Sequence, residues 1–246
     1  MGETSCLPGT VSIPTNTPLS VSTISVVIPT RNEAAELPET LRRALSLPEV
    51  LEIIVVDSGS TDATCDLARN AGCIVLQSEP SRGGQLRKGS QNARGDIILL
   101  LHADTWLPPG AGRAVVDSLR NPRVVGGGFW KRFREKHPLM IGSRLRCALR
   151  LRLFGRILGD QAMFARRSVL EEIGGVPDMP LMEEFELCRL LRLRGTLVLA
   201  DATVITSIRR FIERGILRTY FRMGWVGFLY SLGVNPDRLR KTYERK

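Results

Sequence analysis

Three polar clusters in the first 104 residues each follow a run of apolar residues. They are Pro29-Thr30-Arg31, Asp57-Ser58-Gly59 and His102-Ala103-Asp104. The Asp57 carboxylate suits hydrogen bonds from a base or a ribose hydroxyl, although an Asp in this position also forms turns and helix caps. Asp104 suits Mg²⁺ or Mn²⁺ shared with substrate phosphates, with His102 as a second ligand or a packing residue. An Asp that only ends a strand is the alternative at position 104.

Acidic residues cluster at the start of a predicted helix in MEEFELCRLL, at Glu183, Glu184 and Glu186. The helix dipole favours acidic residues in the first turn of a helix, which explains part of the pattern. Three acids are more than helix capping requires, and one of them can act as a general base toward an acceptor hydroxyl. Arg82-Gly83-Gly84 opens another predicted helix, whose amides suit phosphate. That segment lacks the Walker and GxGxxG forms, so its spacing specifies no ligand.

The elements that must position these residues alternate between strand and helix from residue 24 to residue 104. Unbroken apolar strands in such an alternation indicate a parallel sheet with helices on both faces. Ligands of such sheets bind beyond the carboxyl ends of the strands, which is where all three polar clusters fall. Ser60 or Thr61 is expected to cap the second helix, and Gly95 to end the third.

After Pro108-Pro109-Gly110 the pattern changes to a mixed set of elements. Spacing and breakers predict a helix at 110–120, a strand from 124, an Arg-rich helix at 138–158, a short strand within 159–168, a helix from 182 that Gly195 ends, and one bent strand or a strand pair at 196–207.

The 246 residues can bury the core of one large domain, or of one and a half, and a hydrophobic content of 43% excludes general disorder. No apolar run approaches the ~18 residues of a membrane-spanning helix. Residues 1–22 lack the features of a secretory signal and are expected to be a disordered leader. Five cysteines without metal-ligand spacing predict reduced thiols in a cytosolic protein: Cys6, Cys65, Cys73, Cys147 and Cys188.

The net charge of +10 is concentrated in two segments. Residues 131–167 carry eleven Lys or Arg against two acids, and residues 209–246 carry ten against three, so the rest of the chain is acidic. This division favours a polyanionic partner: phosphates, nucleic acid or an anionic membrane. Within 138–158 a narrow helical stripe holds Met140, Cys147, Leu151, Phe154 and Leu158. Such a helix lies on an anionic membrane, or packs on the core with a solvated Arg face.

Two other function classes fit a basic α/β chain less well. A nucleic-acid-binding module would use the net charge, but aromatic residues make up only 6% of the chain and the sequence has no RNP-like or zinc motif. A nucleotidyltransferase would carry a GxGTR-type phosphate loop after the first strand, where this sequence reads PTRNE.

Five segments, in order along the chain, resemble glycosyltransferase family 2. They are VVIPTRNE, VVDSGSTD, RGGQLRKGSQNARGDIILLLHADT, GDQAMFARR and MEEFELCRLL, and the likeness runs from about residue 24 to residue 207. The LHADT and GDQ variants, with the later segment LYSLGVNPDRL, are most similar to a small bacterial subgroup labelled arsenosugar-biosynthesis glycosyltransferases.

The resemblance implies an α/β GT-A fold. A Rossmann-like nucleotide-binding half at 23–105, with a mostly parallel sheet sandwiched by helices, would precede a mixed acceptor half at 106–207 and a basic C-terminal helical tail at 208–246. The implied reaction is an inverting transfer of a sugar from a nucleotide-diphosphate sugar, with a UDP-sugar favoured, to an acceptor hydroxyl. Mn²⁺ or Mg²⁺ would assist a single displacement.

The resemblance also implies roles for individual residues. Pro29, Thr30, Arg31 and Glu33 would line the base and ribose pocket, Asp57 would bind the base, and Arg82 or Gln85 would face the nucleotide or its phosphates. Asp160 and Gln161 would lie near the sugar or the acceptor.

Asp104 would hold the metal, and His102 stands where the family usually has another Asp. Glu184 would be the catalytic base. It replaces the usual Asp, and the extra methylene moves its carboxylate by about an ångström, so Glu183 is a rival base.

The expected partners are a nucleotide-sugar donor and a small-molecule or lipid-linked acceptor, without nucleic acid. The expected location is the cytoplasm, with peripheral contact on the cytoplasmic face of an anionic membrane.

Overall fold

The computed structural model of the protein describes residues 22–236 and 238–239. Within that range the side chains of Arg210, Glu213 and Arg214 are not described. Apart from Ser22, the predicted leader lies outside the described residues, as does the end of the predicted C-terminal tail.

One sheet of eight strands organises the described part of the chain. Along the chain these strands are β1 (Ile24–Thr30), β2 (Val50–Asp57), β3 (Ile74–Gln77), β4 (Ile97–Leu100), β5 (Thr105–Trp106), β6 (Val124–Phe133), β7 (Met163–Arg166) and β8 (Thr196–Thr206). Their order across the sheet is β3-β2-β1-β4-β7-β6-β8-β5. The first four pair in parallel, whereas β7 runs antiparallel to both β4 and β6. The α/β prediction of a parallel first half and a mixed second half is confirmed.

Helices cover both faces of this sheet. They are α1 (Leu37–Leu45), α2 (Thr64–Asn70), α3 (Arg82–Gln91), α4 (Ala111–Ser118), α5 (Ser143–Phe154), α6 (Arg167–Glu172), α7 (Glu183–Arg192), α8 (Arg209–Arg214) and α9 (Ile216–Ser231). Short 3₁₀ turns lie at Pro138–Met140 and Gly159–Gln161.

The central strands are apolar without interruption because both of their faces are buried. In β1, Val26 and Ile28 belong to a core shared with α1, α2 and α4, while Val27 belongs to the core shared with α3, α6 and α7. The α3 helix approaches β1 so closely that a Cβ on Gly89 would stand 2.3 Å from a Val27 methyl group. Glycine at that position therefore permits the helix–sheet contact.

The register of the parallel strands brings the polar clusters to one edge. Thr30 at the end of β1 pairs with Asp57 at the end of β2, and Val27 pairs with Leu100 at the end of β4. The segments after β1, β2 and β4 consequently leave the sheet side by side, as the strand-end rule predicts.

Three predicted helix boundaries are wrong in detail. The helix α2 has Ala63 at its N-cap rather than Ser60 or Thr61, and the Asp62 carboxylate accepts the Thr64 N–H at 3.0 Å. The C-cap of α7 is Leu193 rather than Gly195. The C-cap of α3 is Asn92 rather than Gly95. Gly95 lies where a Cβ would stand 2.6 Å from the Ser25 nitrogen, so close packing explains this glycine.

The predicted Arg-rich helix at 138–158 is divided, and the apolar stripe assigned to it is corrected. Gly142 (φ 77°) and Gly155 (φ 61°) adopt left-handed backbone at the two ends of α5, which glycine alone tolerates easily. Met140 therefore lies outside α5, and both Met140 and Cys147 are buried. The apolar side chains that α5 exposes are instead Leu145, Leu149 and Leu153, followed by Phe154.

No helix among the described residues is long and apolar enough to cross a membrane. The four cysteines in the described range are free thiols.

Candidate functional site

The strand ends border a cleft of about 290 Å³. The predicted residues that line it are Pro29, Thr30, Arg31, Glu33, Arg82, Gln85, His102 and Asp104. Residues far apart in sequence thus meet because β1 and β4 are neighbours and the N-terminus of α3 faces their ends. Pro80, Ser81 and Pro180, which the sequence reading did not single out, complete the wall on the side of α3.

Asp57 is the last residue of β2 and does not line this cleft, whereas its neighbour Ser58 does. The side chain of Asp57 is buried and accepts hydrogen bonds from the Thr30 hydroxyl (3.1 Å), the Gly59 N–H (3.0 Å), and the Ser60 N–H (2.8 Å) and hydroxyl. Burial alone would raise the pKa of Asp57, but these donors hold it below its usual value. The turn-forming alternative therefore describes Asp57 in this structure, and base recognition by Asp57 stays a prediction.

Gln85 connects α3 to the strand ends. Its amide nitrogen donates to the backbone oxygens of Thr30 (3.0 Å) and Val56 (2.7 Å). The same side chain lines the cleft, so Gln85 links α3 to β1 and β2 at the cleft.

The C-terminal segment reaches the other side of the cleft. Arg209, at the start of α8, pairs with the buried Glu33 carboxylate at 3.3 Å. Glu33 in turn donates its backbone N–H to the Thr64 hydroxyl of α2. The predicted basic tail is therefore attached to the cleft wall at its first turn.

Arg82 joins the cleft to the acidic start of α7. Its guanidinium donates from Nε to Glu183 and from Nη2 to Glu184, and its Nη1 lies 3.3 Å from His102 Nε2. The Glu183 side chain is 2% exposed and that of Glu184 is 14% exposed. Two buried carboxylates thus share one cation at the edge of the cleft.

The three acids of α7 separate into two groups. Met182, at φ 67°, turns the chain directly before the helix, and Glu183 and Glu184 then point to Arg82. Glu186 instead pairs with Arg189 of the same helix and accepts the Tyr230 hydroxyl. Only the first two acids therefore remain candidates for acid–base chemistry.

Burial raises the pKa of Glu184 above its ordinary value. The positive charge of Arg82 opposes this rise, whereas the negative charge of Glu183 adds to it. The Gly159 N–H donates to the same carboxylate at 3.0 Å. A buried carboxylate with a raised pKa that is held in place by donors has the properties of a general base.

Asp160 and Gln161 lie on the turn Gly159–Gln161, next to Glu184. Asp160 pairs with Lys131 of β6 at 2.5 Å, and Gln161 accepts from Arg150 of α5. Burial alone would raise the pKa of Asp160, but the Lys131 ammonium holds it below its usual value. The turn is consequently fixed to β6 and to α5, and its backbone touches the candidate base.

The chemistry of the donor set fits a divalent cation that is shared with a substrate. Asp104 lines the cleft, and Mg²⁺ and Mn²⁺ commonly take one or two protein carboxylates together with substrate phosphates. The described residues contain no group of three or more His, Cys, Asp or Glu suited to a metal ion. His102 Nε2 faces Arg82, so this structure favours its packing alternative over its predicted role as a ligand.

Three residues of this region were missed by sequence reasoning. Sequence reasoning gives Lys131 no role beyond its contribution to the net charge. A lysine inside the apolar strand VVGGGFWKRF nevertheless signals a buried ion pair. Arg209 carried no local signal, because its partner Glu33 lies 176 residues away. At Gly159 a Cβ would stand 2.5 Å from His102 Nε2 and 2.7 Å from Glu184 Oε1, and no spacing rule reveals that contact.

Comparison with known proteins identifies the family. The model of glycosyl transferase family 2 matches residues 25–174, which is more than half of the chain. The undecaprenyl-phosphate 4-deoxy-4-formamido-L-arabinose transferase of Pseudomonas paraeruginosa is 33% identical over 138 residues, which cover 47% of this chain and 40% of that protein. The matched region is therefore less than half of either protein.

Two solved structures share the fold. A mannosyltransferase from Pyrobaculum calidifontis in complex with GDP-Man and Mn²⁺ has a TM-score of 0.63 at 21% identity, covering 90% of this chain and 68% of that one. Glucosyl-3-phosphoglycerate synthase from Mycobacterium tuberculosis in complex with Mg²⁺ and UDP has a TM-score of 0.54 at 24% identity, covering 76% and 70%. The predicted GT-A fold is thereby confirmed, and this chain belongs to glycosyltransferase family 2.

Proposed function

We propose that this glycosyltransferase moves a sugar from a nucleoside-diphosphate sugar to a hydroxyl of a lipid-linked acceptor with inversion at the anomeric carbon. The observation that carries the proposal is the position of Arg82, which lines the cleft at the strand ends and also binds both buried carboxylates of α7. A donor in the cleft and an acceptor beside α7 would then meet at one point.

The donor's nucleoside diphosphate would lie along the strand ends, where Arg31 lines the cleft and offers its phosphates a cationic side chain. Arg82 lines the same cleft, but its guanidinium is paired with Glu183 and Glu184. UDP is the favoured nucleotide by resemblance to the family. Mn²⁺ or Mg²⁺, held by Asp104 and the diphosphate, would neutralise charge on the leaving group.

Glu184 is the proposed base, and Glu183 the rival. The carboxylate takes the proton of the acceptor hydroxyl as the acceptor oxygen forms its bond to the anomeric carbon. The bond from that carbon to the diphosphate oxygen breaks, and its electron pair leaves with the diphosphate. One displacement inverts the carbon and needs no covalent glycosyl-enzyme, in contrast to a retaining hydrolase.

A lipid-linked acceptor is supported by the relative from Pseudomonas paraeruginosa, whose name specifies undecaprenyl phosphate. That lipid offers a phosphate oxygen rather than a hydroxyl, so the name supports the lipid, and the acceptor hydroxyl rests on the resemblance to the family. The proposal includes a cytoplasmic protein in peripheral contact with the membrane face. The similarity to the arsenosugar-biosynthesis subgroup stays a prediction.

Thermal unfolding with UDP, GDP and their sugar conjugates, each with and without Mn²⁺, tests the donor site. We expect one nucleotide to raise the melting temperature in a metal-dependent way, and Asp104→Ala to abolish that rise. Asp201→Ala, which removes an exposed acid on β8, is the matched control. The absence of a shift with every nucleotide, or a full metal-dependent shift in Asp104→Ala, would contradict the proposal.

Glu184→Gln and Glu183→Gln distinguish the two candidate bases. Loss of a general base typically slows a reaction by about 10²–10⁴-fold. We expect a loss of that size in kcat with Glu184→Gln while the nucleotide still binds. The reverse ranking of the two variants would assign the role to Glu183. Retention of configuration in the product, seen by NMR of the anomeric proton, would exclude the single displacement.

A further inference from the structure

Large apolar side chains are exposed in two stretches of the chain. Of the sixteen exposed ones in the described residues, six lie between 139 and 154 and six lie between 212 and 232. Scattered exposed apolar residues are ordinary, but a concentration of this kind indicates an interaction surface.

Side-chain contacts join the two stretches at both of their ends. Near their beginnings, the Tyr220 hydroxyl of α9 lies 3.1 Å from the Met140 sulfur, and the Arg146 guanidinium lies over the Tyr220 ring at 5.9 Å. Near their ends, Arg156 donates to the Ser231 hydroxyl at 3.1 Å.

Each helix has one buried side and one apolar outer side. In α9 the inner side includes Val226 and Gly227, and Gly227 packs near Phe185 of α7. The outer row, spaced four, four, three and four residues apart, consists of Leu217, Phe221, Trp225, Phe228 and Leu232. These side chains are between 49% and 77% exposed.

The outer row of α5 lies on the flank that faces α9. Leu149 and Leu153 follow Arg146 by three and seven residues, so they share the side of the helix on which Arg146 reaches Tyr220. Leu145 precedes Leu149 by one turn and continues the row. Together, Leu145, Leu149, Leu153 and the outer row of α9 form what we call the two-helix surface.

The two helices that form this surface carry only positive charge of their own. The helix α5 contains four arginines and α9 contains two, and neither helix contains Asp or Glu. One of the six, Arg150, donates inward to Gln161, which leaves five for the outer side. A second copy docked by the same face would bring five cations against five, without an acid from these helices to pair with them. A bilayer with anionic headgroups over an apolar interior matches both the apolar rows and the arginines. Trp225 and its aromatic neighbours are side chains that favour this interface.

We propose that the two-helix surface docks on the face of an anionic lipid bilayer, with its apolar rows below the headgroups and its arginines among them. Through Phe185, α9 contacts the helix that carries Glu183 and Glu184. Docking would therefore hold the candidate base one helix away from a lipid-linked acceptor. The docking surface gives residues to the membrane contact included in the proposed function, and the link to the acceptor rests on that function.

Vesicle flotation of the full chain, without donor or acceptor, tests the proposal. Vesicles of phosphatidylglycerol and phosphatidylcholine in equal parts are compared with vesicles of phosphatidylcholine alone. We expect flotation with the anionic vesicles only, and an affinity about tenfold or more lower for the triple variant Leu149→Gln, Leu153→Gln, Phe221→Gln. The matched control is Leu45→Gln with Leu51→Gln, which replaces leucines of similar exposure on α1 and β2 and should float like the wild type.

Trp225 supplies a second readout. In a variant whose other two tryptophans are phenylalanine, we expect its fluorescence to shift to shorter wavelength on anionic vesicles. Unchanged circular dichroism and nucleotide-dependent stabilisation would show that each variant is folded.

Four results would overturn the proposal. They are no flotation with anionic vesicles, equal flotation with both vesicle types, equal loss in the triple and control variants, and a wild-type dimer that the triple variant dissociates. Any of these results, obtained with intact nucleotide binding, would refute the docking surface without contradicting the proposed donor site.

Discussion

Replacement of Arg82 by glutamine is expected to raise the pKa of Glu184 further. In the wild type, burial raises this pKa and the Arg82 charge partly counteracts the effect. Arg82 contacts both Glu183 and Glu184, so the variant leaves two buried carboxylates without their shared cation. Protonation of Glu184 then relieves the repulsion between them.

The magnitude follows from Coulomb's law. Unit charges about 4 Å apart in an effective dielectric of about 20 interact by about 4 kcal/mol. The Arg82 side chain is 38% exposed, however, so solvent screens part of the interaction. Taking half of the Coulomb value, we expect the loss of Arg82 to disfavour the ionised form of Glu184 by about 2 kcal/mol and so to raise its pKa.

Carbon-13 NMR titration of the glutamate carboxyls measures this pKa directly, with Glu184→Gln used to assign the signal. Arg189→Gln is the matched control, because Arg189 lies on the same helix but pairs with the outward-facing Glu186. That variant should leave the Glu184 titration unchanged. An unchanged or lowered pKa in Arg82→Gln would refute the reasoning that Arg82 keeps the base ionised.

The same shift has a stability signature. A carboxyl whose pKa is raised on folding favours the folded state below its unfolded pKa, and this contribution is lost as the pH rises through the folded pKa. Because Arg82→Gln raises the folded pKa of Glu184 further, the free energy of unfolding of this variant should fall relative to wild type as the pH rises above the ordinary pKa of a glutamate. A difference between the two proteins that does not depend on pH would contradict this linkage.

Two further predictions concern the neighbourhood of the base. Gly159→Ala places a methyl group against His102 and Glu184. We expect the rate of sugar transfer to fall by about 10²-fold, which is the effect of a misplacement of about 1 Å in an active site. Calorimetry should show that the variant is still folded. Lys131→Met leaves the Asp160 carboxylate buried without its cation, so urea unfolding should show a loss of about 3 kcal/mol, and adding Asp160→Asn should restore part of it.

The parallel half of the sheet could be predicted from sequence because its signals are local. Apolar runs such as Ile24–Ile28 mark strands that are buried on both faces, and the position of Thr30 and Asp57 at the strand ends follows from that assignment. The strand-end rule then indicates the cleft before any side chain is placed.

The second half was harder to predict, because its decisive contacts join distant residues. The pairs Lys131–Asp160 and Glu33–Arg209 span 29 and 176 residues, and neither has a periodic pattern. The apolar stripe around Cys147 has two alternatives in the sequence, membrane contact or packing on the core, because helical spacing does not reveal which side of a helix is buried. The structure buries Met140 and Cys147 and exposes Phe154.

The sequence by itself determined the parallel half-sheet, the family resemblance and the candidate residue types, since periodicity and motif order are properties of consecutive residues. Only the tertiary structure decided that the Asp57 carboxylate accepts hydrogen bonds from its own turn. It also decided that Arg82 pairs with both Glu183 and Glu184, and that the leucines of α5 face outward. The physical reason is that hydrogen bonds, ion pairs and burial depend on which elements pack together. In this chain those partners come from strands and helices that are often more than a hundred residues apart.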